Sequence, residues 1–121
     1  MEIRERAVGA VAVLDAVGRM VLTETEDDRA LREKVIQLVS AGHRQLVVNL
    51  GAVTQVDTAG LTSLVSAHVA AVRRGAHLSL ANPTPRIREL LRVTRLNFLL
   101  ETYDTEEDAI ASVTRPSGLG L

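Results

Sequence analysis

Gln45-Leu46-Val47-Val48-Asn49-Leu50, then Gly51–Val56, then Asp57-Thr58-Ala59-Gly60-Leu61, is the stretch whose reading decides the fold. The first six residues form a short, nearly continuous, Val-rich apolar run, the pattern of a central strand covered on both faces. Leu61, Leu64, Val65, His68, Val69 and Val72 then recur at helical spacing and predict one apolar stripe on an amphipathic helix, which Gly75 ends,. Gly51–Val56 is expected to connect the two. A buried strand running into a helix is one unit of a parallel sheet, and sites in such sheets gather beyond the carboxyl ends of the strands.

The same reading extends outward. Strands are expected near Glu2–Val8 and Val11–Ala16, joined as a hairpin at Gly9-Ala10,. Gly18–Glu26 reads as a loop. Thr25-Glu26-Asp27-Asp28 fits a capping box before a helix of about Asp27–Ala41, lined by Leu31, Val35, Leu38 and Val39 and closed by Gly42,. Beyond the central unit, His77–Leu80 reads as a strand. Thr84 as cap and Pro85 at the first helical position start a helix carrying Ile87, Leu90 and Leu91,. A strand at Phe98–Thr102 and a helix from about Thr105 to Ser112 complete the order β-β-α-β-α-β-α-β-α. That alternation predicts a single α/β domain, a mixed and mostly parallel sheet with packed helices. The domain is expected over residues 1–113, with 114–121 as a flexible tail.

Composition narrows the function. The chain has 121 residues, enough for one hydrophobic core,. Aromatics make up only 2%, and the net charge is -1. There is neither a stacking platform nor a basic field for direct nucleic-acid binding. The absence of cysteine removes disulfides and thiol chemistry,. The start Met1-Glu2-Ile3-Arg4-Glu5-Arg6 has no signal-peptide core, and no run approaches the ~20 apolar residues of a membrane span,. A cytoplasmic location without direct membrane insertion is expected.

Chemical motifs are sparse. There is no phosphate loop, dinucleotide fingerprint or nucleophile elbow,. His43, His68 and His77 have no metal-ligand spacing, and His68 is expected to be a packed, hydrogen-bonded residue of its helix,. Arg73-Arg74 reads as charge at a helix C-terminus or as a contact for an acidic partner,. Arg86, Arg88, Arg92 and Arg95 form a basic, solvated helix face that could also meet a partner,. No catalytic residue, metal or cofactor is expected.

Asp57-Thr58-Ala59-Gly60 admits two readings. Asp57 or Thr58 caps the helix, worth about 1 kcal/mol, and Gly60 allows tight packing of its first turn,. Alternatively, the hydroxyl at this helix start is a place for a phosphate, which would add about −1.5 to −2 charge beside Asp57 and switch the surface.

Val56-Asp57-Thr58-Ala59-Gly60-Leu61 resembles the signature turn of the STAS family, especially of bacterial anti-sigma factor antagonists. The resemblance extends over nearly the whole chain. It takes in Asp27–Leu50, the stretch Gly75-Ala76-His77-Leu78-Ser79-Leu80-Ala81-Asn82-Pro83, Ile87–Leu91, Leu96–Leu99 and the acidic Tyr103–Ala109. It implies a non-enzymatic domain that binds an anti-sigma factor, itself a serine/threonine kinase of the partner-switching type, and so frees a sigma factor. The kinase would phosphorylate Thr58 beside Asp57 and end binding, and a phosphatase would restore it. Ala59, Gly60 and Leu61 would shape the partner-facing helix start. Two positions depart from the family pattern. Thr58 stands where most phosphorylated antagonists have Ser, and Gly18-Arg19-Met20-Val21 stands where the family often has Gly-Glu-hydrophobic-Asp.

An alternative keeps the fold without phosphorylation: a STAS subunit that binds the ATPase of a phospholipid ABC transporter. A third reading, a small ligand-binding domain or enzyme at the strand-end cleft, lacks a catalytic pair. A homodimer is compatible with the sequence.

Overall fold

The computed structural model describes residues 1–21 and 25–114, with side chains for 1–21 and 29–113. The expected capping-box side chains at Thr25–Asp28 and residues 115–121 of the tail expected at 114–121 lie outside those described, while Thr114 belongs to the last helix.

Five strands form one sheet in the order β1-β2-β3-β4-β5. The strands are β1 (Glu2–Val8), β2 (Val11–Met20), β3 (Gln45–Val56), β4 (His77–Ala81) and β5 (Thr102–Tyr103). β1 and β2 are antiparallel and the other pairs parallel, the mixed, mostly parallel sheet that the alternation predicts. Gly9, at φ 61, turns the β1–β2 hairpin where a side chain would be strained,.

Alternate residues face opposite sides, as the pleat requires. Ala12, Leu14, Leu46, Val48, Leu50, Leu78 and Leu80 point to one face. There they meet three helices: α1 (Thr25–Ser40), α2 (Leu61–Arg73) and α3 (Pro85–Val93). Val11, Val13, Val47 and Ala81 point to the other face and are covered by Ala109, Ile110 and Val113 of α4 (Glu106–Thr114). Both faces of β3 are therefore dry over Leu46-Val47-Val48, which is why that stretch is an unbroken apolar run rather than an alternating one,.

Several boundaries differ from the expectations. β2 continues past Ala16 to Met20 and β3 past Leu50 to Val56, so Gly51–Val56 is strand rather than connection. Each strand supplies the other's ladder, from Val17–Ala52 to Met20–Val56, and neither stretch has a strand pattern of its own. β3 carries an extra residue opposite β2 twice, between Asn49 and Ala52 and at Thr54, and these bulges break the period of two,. α1 begins at Thr25, two residues earlier than expected. In place of a strand over Phe98–Thr102, a 3-10 turn spans Leu96–Phe98 and β5 holds only Thr102–Tyr103. Arg95, at φ 64, ends α3, and Leu100 rather than Phe98 enters the core; Phe98 is 84% exposed.

α2 keeps part of the expected stripe, with Leu61 and Leu64 buried and Val65 packed against the core, but its buried face is turned towards small residues. Leu61, Ser63, Leu64, Ala67, Ala70 and Ala71 are buried, whereas Val69 and Val72 are 36% and 55% exposed. Three of the six buried residues are alanines, so this face is set by small size rather than by bulk. His68 is half-buried, and its Nδ1 is buried without a hydrogen-bond partner, contrary to the expectation of a hydrogen-bonded histidine. Burial, then the nearby His77, lowers its pKa. α3 follows the sequence closely: the Thr84 hydroxyl accepts from Ile87 N at 3.3 Å, Pro85 opens the helix, and Ile87, Leu90 and Leu91 are buried.

Candidate functional site

The parallel strands end on one edge of the molecule, where β3 delivers Asp57-Thr58-Ala59-Gly60 into α2. Val56 is the last strand residue, and its pairing with Met20 holds the end of β3 against the end of β2. The Met20 carbonyl accepts a hydrogen bond from Asp57 N at 3.3 Å. The turn therefore starts from a rigid ladder.

Asp57 organises the start of α2. Its Oδ1 accepts from Gly60 N at 2.6 Å, and its carbonyl accepts from Leu61 N at 3.2 Å. The carboxylate thus caps an amide of the turn that leads into α2, three residues on, while Gly60, directly before the helix, has no side-chain cap of its own,. Of the two capping candidates, Asp57 does the capping and Thr58 does not. The Thr62 hydroxyl bonds the Ala59 carbonyl and tightens the same turn.

Gly60 is demanded by contact. A Cβ there would lie 1.9 Å from the Met20 oxygen and 2.7 Å from its carbon. Its φ of -64 is open to any residue, so space and not backbone freedom selects glycine. Leu61, 1% exposed, anchors the helix start in the core. Ala59 is half-buried beneath the turn.

Thr58 is the exposed member. Its hydroxyl makes no hydrogen bond among the described residues, and neither Thr58 N nor Ala59 N has a backbone acceptor. A hydroxyl in water, two open N–H groups and the positive end of α2 thus stand beside one carboxylate. Chemically, this arrangement can hold an anion through the two open N–H groups. It has no base within the turn other than Asp57, which is held as a cap.

The structure brings all five predicted residues, Asp57, Thr58, Ala59, Gly60 and Leu61, into this one turn. It also places Gly18-Arg19-Met20-Val21 against it, with Arg19 opposite Gln55 and Met20 opposite Val56. The family departure at Arg19 and Val21 therefore borders the turn. Sequence reasoning missed Met20, whose contribution is a backbone oxygen that no side-chain pattern reveals.

The other candidates lie elsewhere. Arg74 donates to the Ala70 carbonyl at 3.2 Å, so it serves the C-terminus of α2. On α3, Arg88 pairs with Asp104 at 2.9 Å and Arg92 with Glu89 at 2.8 Å, while Arg86 on the helix and Arg95 just beyond it are exposed. Arg6 binds Asp15 at 2.6 Å and Glu106 at 2.5 Å, tying β1 and β2 to α4, and Asn49 donates to Glu106 at 2.8 Å. The hydrogen bond from Arg6 holds the Glu106 carboxyl below its usual range. No cluster of three or more His, Asp or Glu able to hold a metal occurs among the described residues. No helix among them is long and apolar enough to cross a membrane.

The STAS domain family profile matches residues 8–109. No curated protein sequence matches the chain. Among solved structures, the candidate anti-sigma factor antagonist TM1081 of Thermotoga maritima aligns with a TM-score of 0.79 at 20% identity, over 93% of this chain and 95% of that one. The anti-sigma factor antagonist SpoIIAA in its unphosphorylated form aligns at 0.74 and 18% identity, over 97% and 100%. The phosphorylated form from Bacillus aligns at 0.67 and 18% identity, over 93% and 99%. A sulfate transporter family protein of Wolinella succinogenes aligns at 0.74 and 16% identity, over 90% and 88%. At these identities the likeness is one of fold.

Proposed function

The chain belongs to the STAS domain family, and we propose that it is an anti-sigma factor antagonist, a cytoplasmic binding protein switched by phosphorylation at Thr58. The observation that carries this is the exposed, unbonded Thr58 hydroxyl on a turn otherwise locked by Asp57 and by Met20. A rigid turn presents one free hydroxyl in one geometry, which suits a kinase substrate and a docking surface alike.

In the unmodified state the surface around Thr58 binds an anti-sigma factor that is also a serine/threonine kinase. The kinase transfers the γ-phosphoryl group of ATP to Thr58 Oγ1, and the hydroxyl proton leaves to the kinase's own base. ADP departs, and a phosphatase later hydrolyses the phosphoester. The catalytic groups belong to those partners. The phosphate brings about −1.5 to −2 charge next to the Asp57 carboxylate. The open N–H groups of Thr58 and Ala59 stabilise it locally, while Asp57 repels it. The docking surface becomes strongly anionic, and the partner is released. That the SpoIIAA relative exists in phosphorylated and unphosphorylated forms of this fold supports the reading.

The test is incubation with the candidate kinase and ATP, followed by intact mass. One phosphate is expected on the native chain and none on Thr58→Ala. No gain, or a gain that persists in Thr58→Ala, removes the switch. The fold is shared with a sulfate transporter family protein and so also occurs in transport proteins, which admits a second reading. In it the same surface binds the ATPase of a phospholipid ABC transporter without phosphorylation. Binding of such an ATPase that is equal for native chain and Thr58→Ala, with no mass gain, would select it.

A further inference from the structure

The last part of β3 has an open side. β3 runs to Val56, but β4 ends at Ala81 and their pairing stops at Asn49–Ala81. From Ala52 to Val56 the strand pairs with β2 alone. On its other side the chain turns away at Asn82, φ 53, into α3. A groove of about 340 Å³ takes the place of a neighbouring strand. Val53, Thr54, Gln55 and Val56 form one wall, and Thr84, Pro85 and Arg86 the other. No backbone hydrogen bond joins residues 51–56 to 82–86 among the described residues.

Exposed sheet edges are normally guarded by charge or proline, because their free N–H and C=O groups pair with any available strand. Gly51-Ala52-Val53-Thr54-Gln55-Val56 contains neither, and Gly51, Ala52, Thr54 and Gln55 are exposed. The bulges of β3 bend this edge and limit the length of a regular ladder, which suits short, reversible pairing,. Across the groove, Arg86 is exposed and makes no ion pair among the described residues.

We propose that this edge is a docking rail. The partner lays an extended segment in the groove, adds a short strand to β3 and places a carboxylate against Arg86. The inference rests on the reading of the neighbouring turn as partner-facing and names the mode of contact. Thr58 follows the rail by two residues, so a phosphate there repels the segment's carboxylate and couples the switch to docking.

The probe is the candidate anti-sigma factor kinase of the phosphorylation test, added to the full chain with a non-hydrolysable ATP analogue. Arg86→Glu reverses one exposed charge in the first turn of α3, where an acid suits the helix dipole, so the fold is retained. Thr54→Pro and Gln55→Pro each delete one N–H; the variant that melts with the native chain is the edge-facing one. Arg86→Glu and that proline variant are expected to bind about tenfold or more weaker, and amide exchange at 51–56 is expected to slow in the native complex. Should neither proline variant fold, Arg86→Glu and the exchange pattern decide. Native-like binding by the edge variants, with unchanged exchange and with binding lost in Thr58→Glu, overturns the rail and leaves the Thr58 switch standing. Binding lost in the edge variants but kept in Thr58→Glu supports the rail and removes the switch. Concentration-dependent dimers that the edge variants abolish make a second copy the occupant and overturn the partner rail. No binding by the native chain removes both readings.

Discussion

The carbonyl oxygen of Met20 fills the space that a side chain on residue 60 would need, 1.9 Å from an ideal Cβ. Two ladder ends meet here, because Met20 closes β2 and Gly60 follows β3 by four residues. Gly60→Ala must move backbone and not merely a side-chain tip. A loss of about 1–3 kcal/mol or more is expected by urea unfolding, as for overpacked cores. A loss under about 0.5 kcal/mol, the scale of a neutral surface change, would show that the two backbones can part freely.

Asp57→Ala removes the acceptor of Gly60 N. A loss of about 0.5–2 kcal/mol is expected, the range of N-cap deletions. Asp57→Asn keeps an acceptor oxygen and should recover most of it. Chemical denaturation of the three proteins side by side checks this, and equal midpoints for Ala and Asn would refute the cap.

The face on which α2 packs can be measured directly. Leu64 is fully buried, so Leu64→Ala should cost about 2–5 kcal/mol,. Val72, 55% exposed, should tolerate serine within about 0.5 kcal/mol,. Comparable losses at both positions would restore the stripe that the sequence suggests.

Acid should act in two separate windows. His68 has a pKa below its ordinary 6.5, chiefly through burial, so the unfolded chain takes up its proton first. Stability falls as pH drops through 6.5 towards the lower folded value, and His68→Leu should flatten that part of the profile,. Glu106 lies below its ordinary 4.5, chiefly through the hydrogen bond from Arg6. Its contribution is present above 4.5 and is lost as pH falls through the lower folded value, and Glu106→Gln should flatten only this window,. Melting temperatures from about pH 7.5 to about pH 3 distinguish the two; a variant that alters the other's window would contradict the assignment.

Much of the fold is legible in sequence because local signals are strong where one residue acts alone. Thr84 and Pro85 announce α3, and the structure shows the cap bond itself. Gly9 marks the hairpin, and Val47 and Val48 mark a strand dry on both faces. The turn at Asp57–Leu61 is equally legible, since a short acid, a hydroxyl and a glycine ahead of an apolar helix form a compact local pattern.

The order of elements, the βα unit at the centre and the residues of the turn are thus written in local pattern. The reach of β2 and β3, the buried face of α2 and the reason for glycine at residue 60 arise only when distant segments meet. Strand length past Leu50 depends on a neighbouring ladder, not on a hydrophobic period. The buried face of α2 includes small residues, Ser63, Ala67, Ala70 and Ala71, which an apolar stripe of bulky residues does not mark. Gly60 answers to a backbone oxygen forty residues earlier in the chain, and a backbone oxygen is the same in every residue.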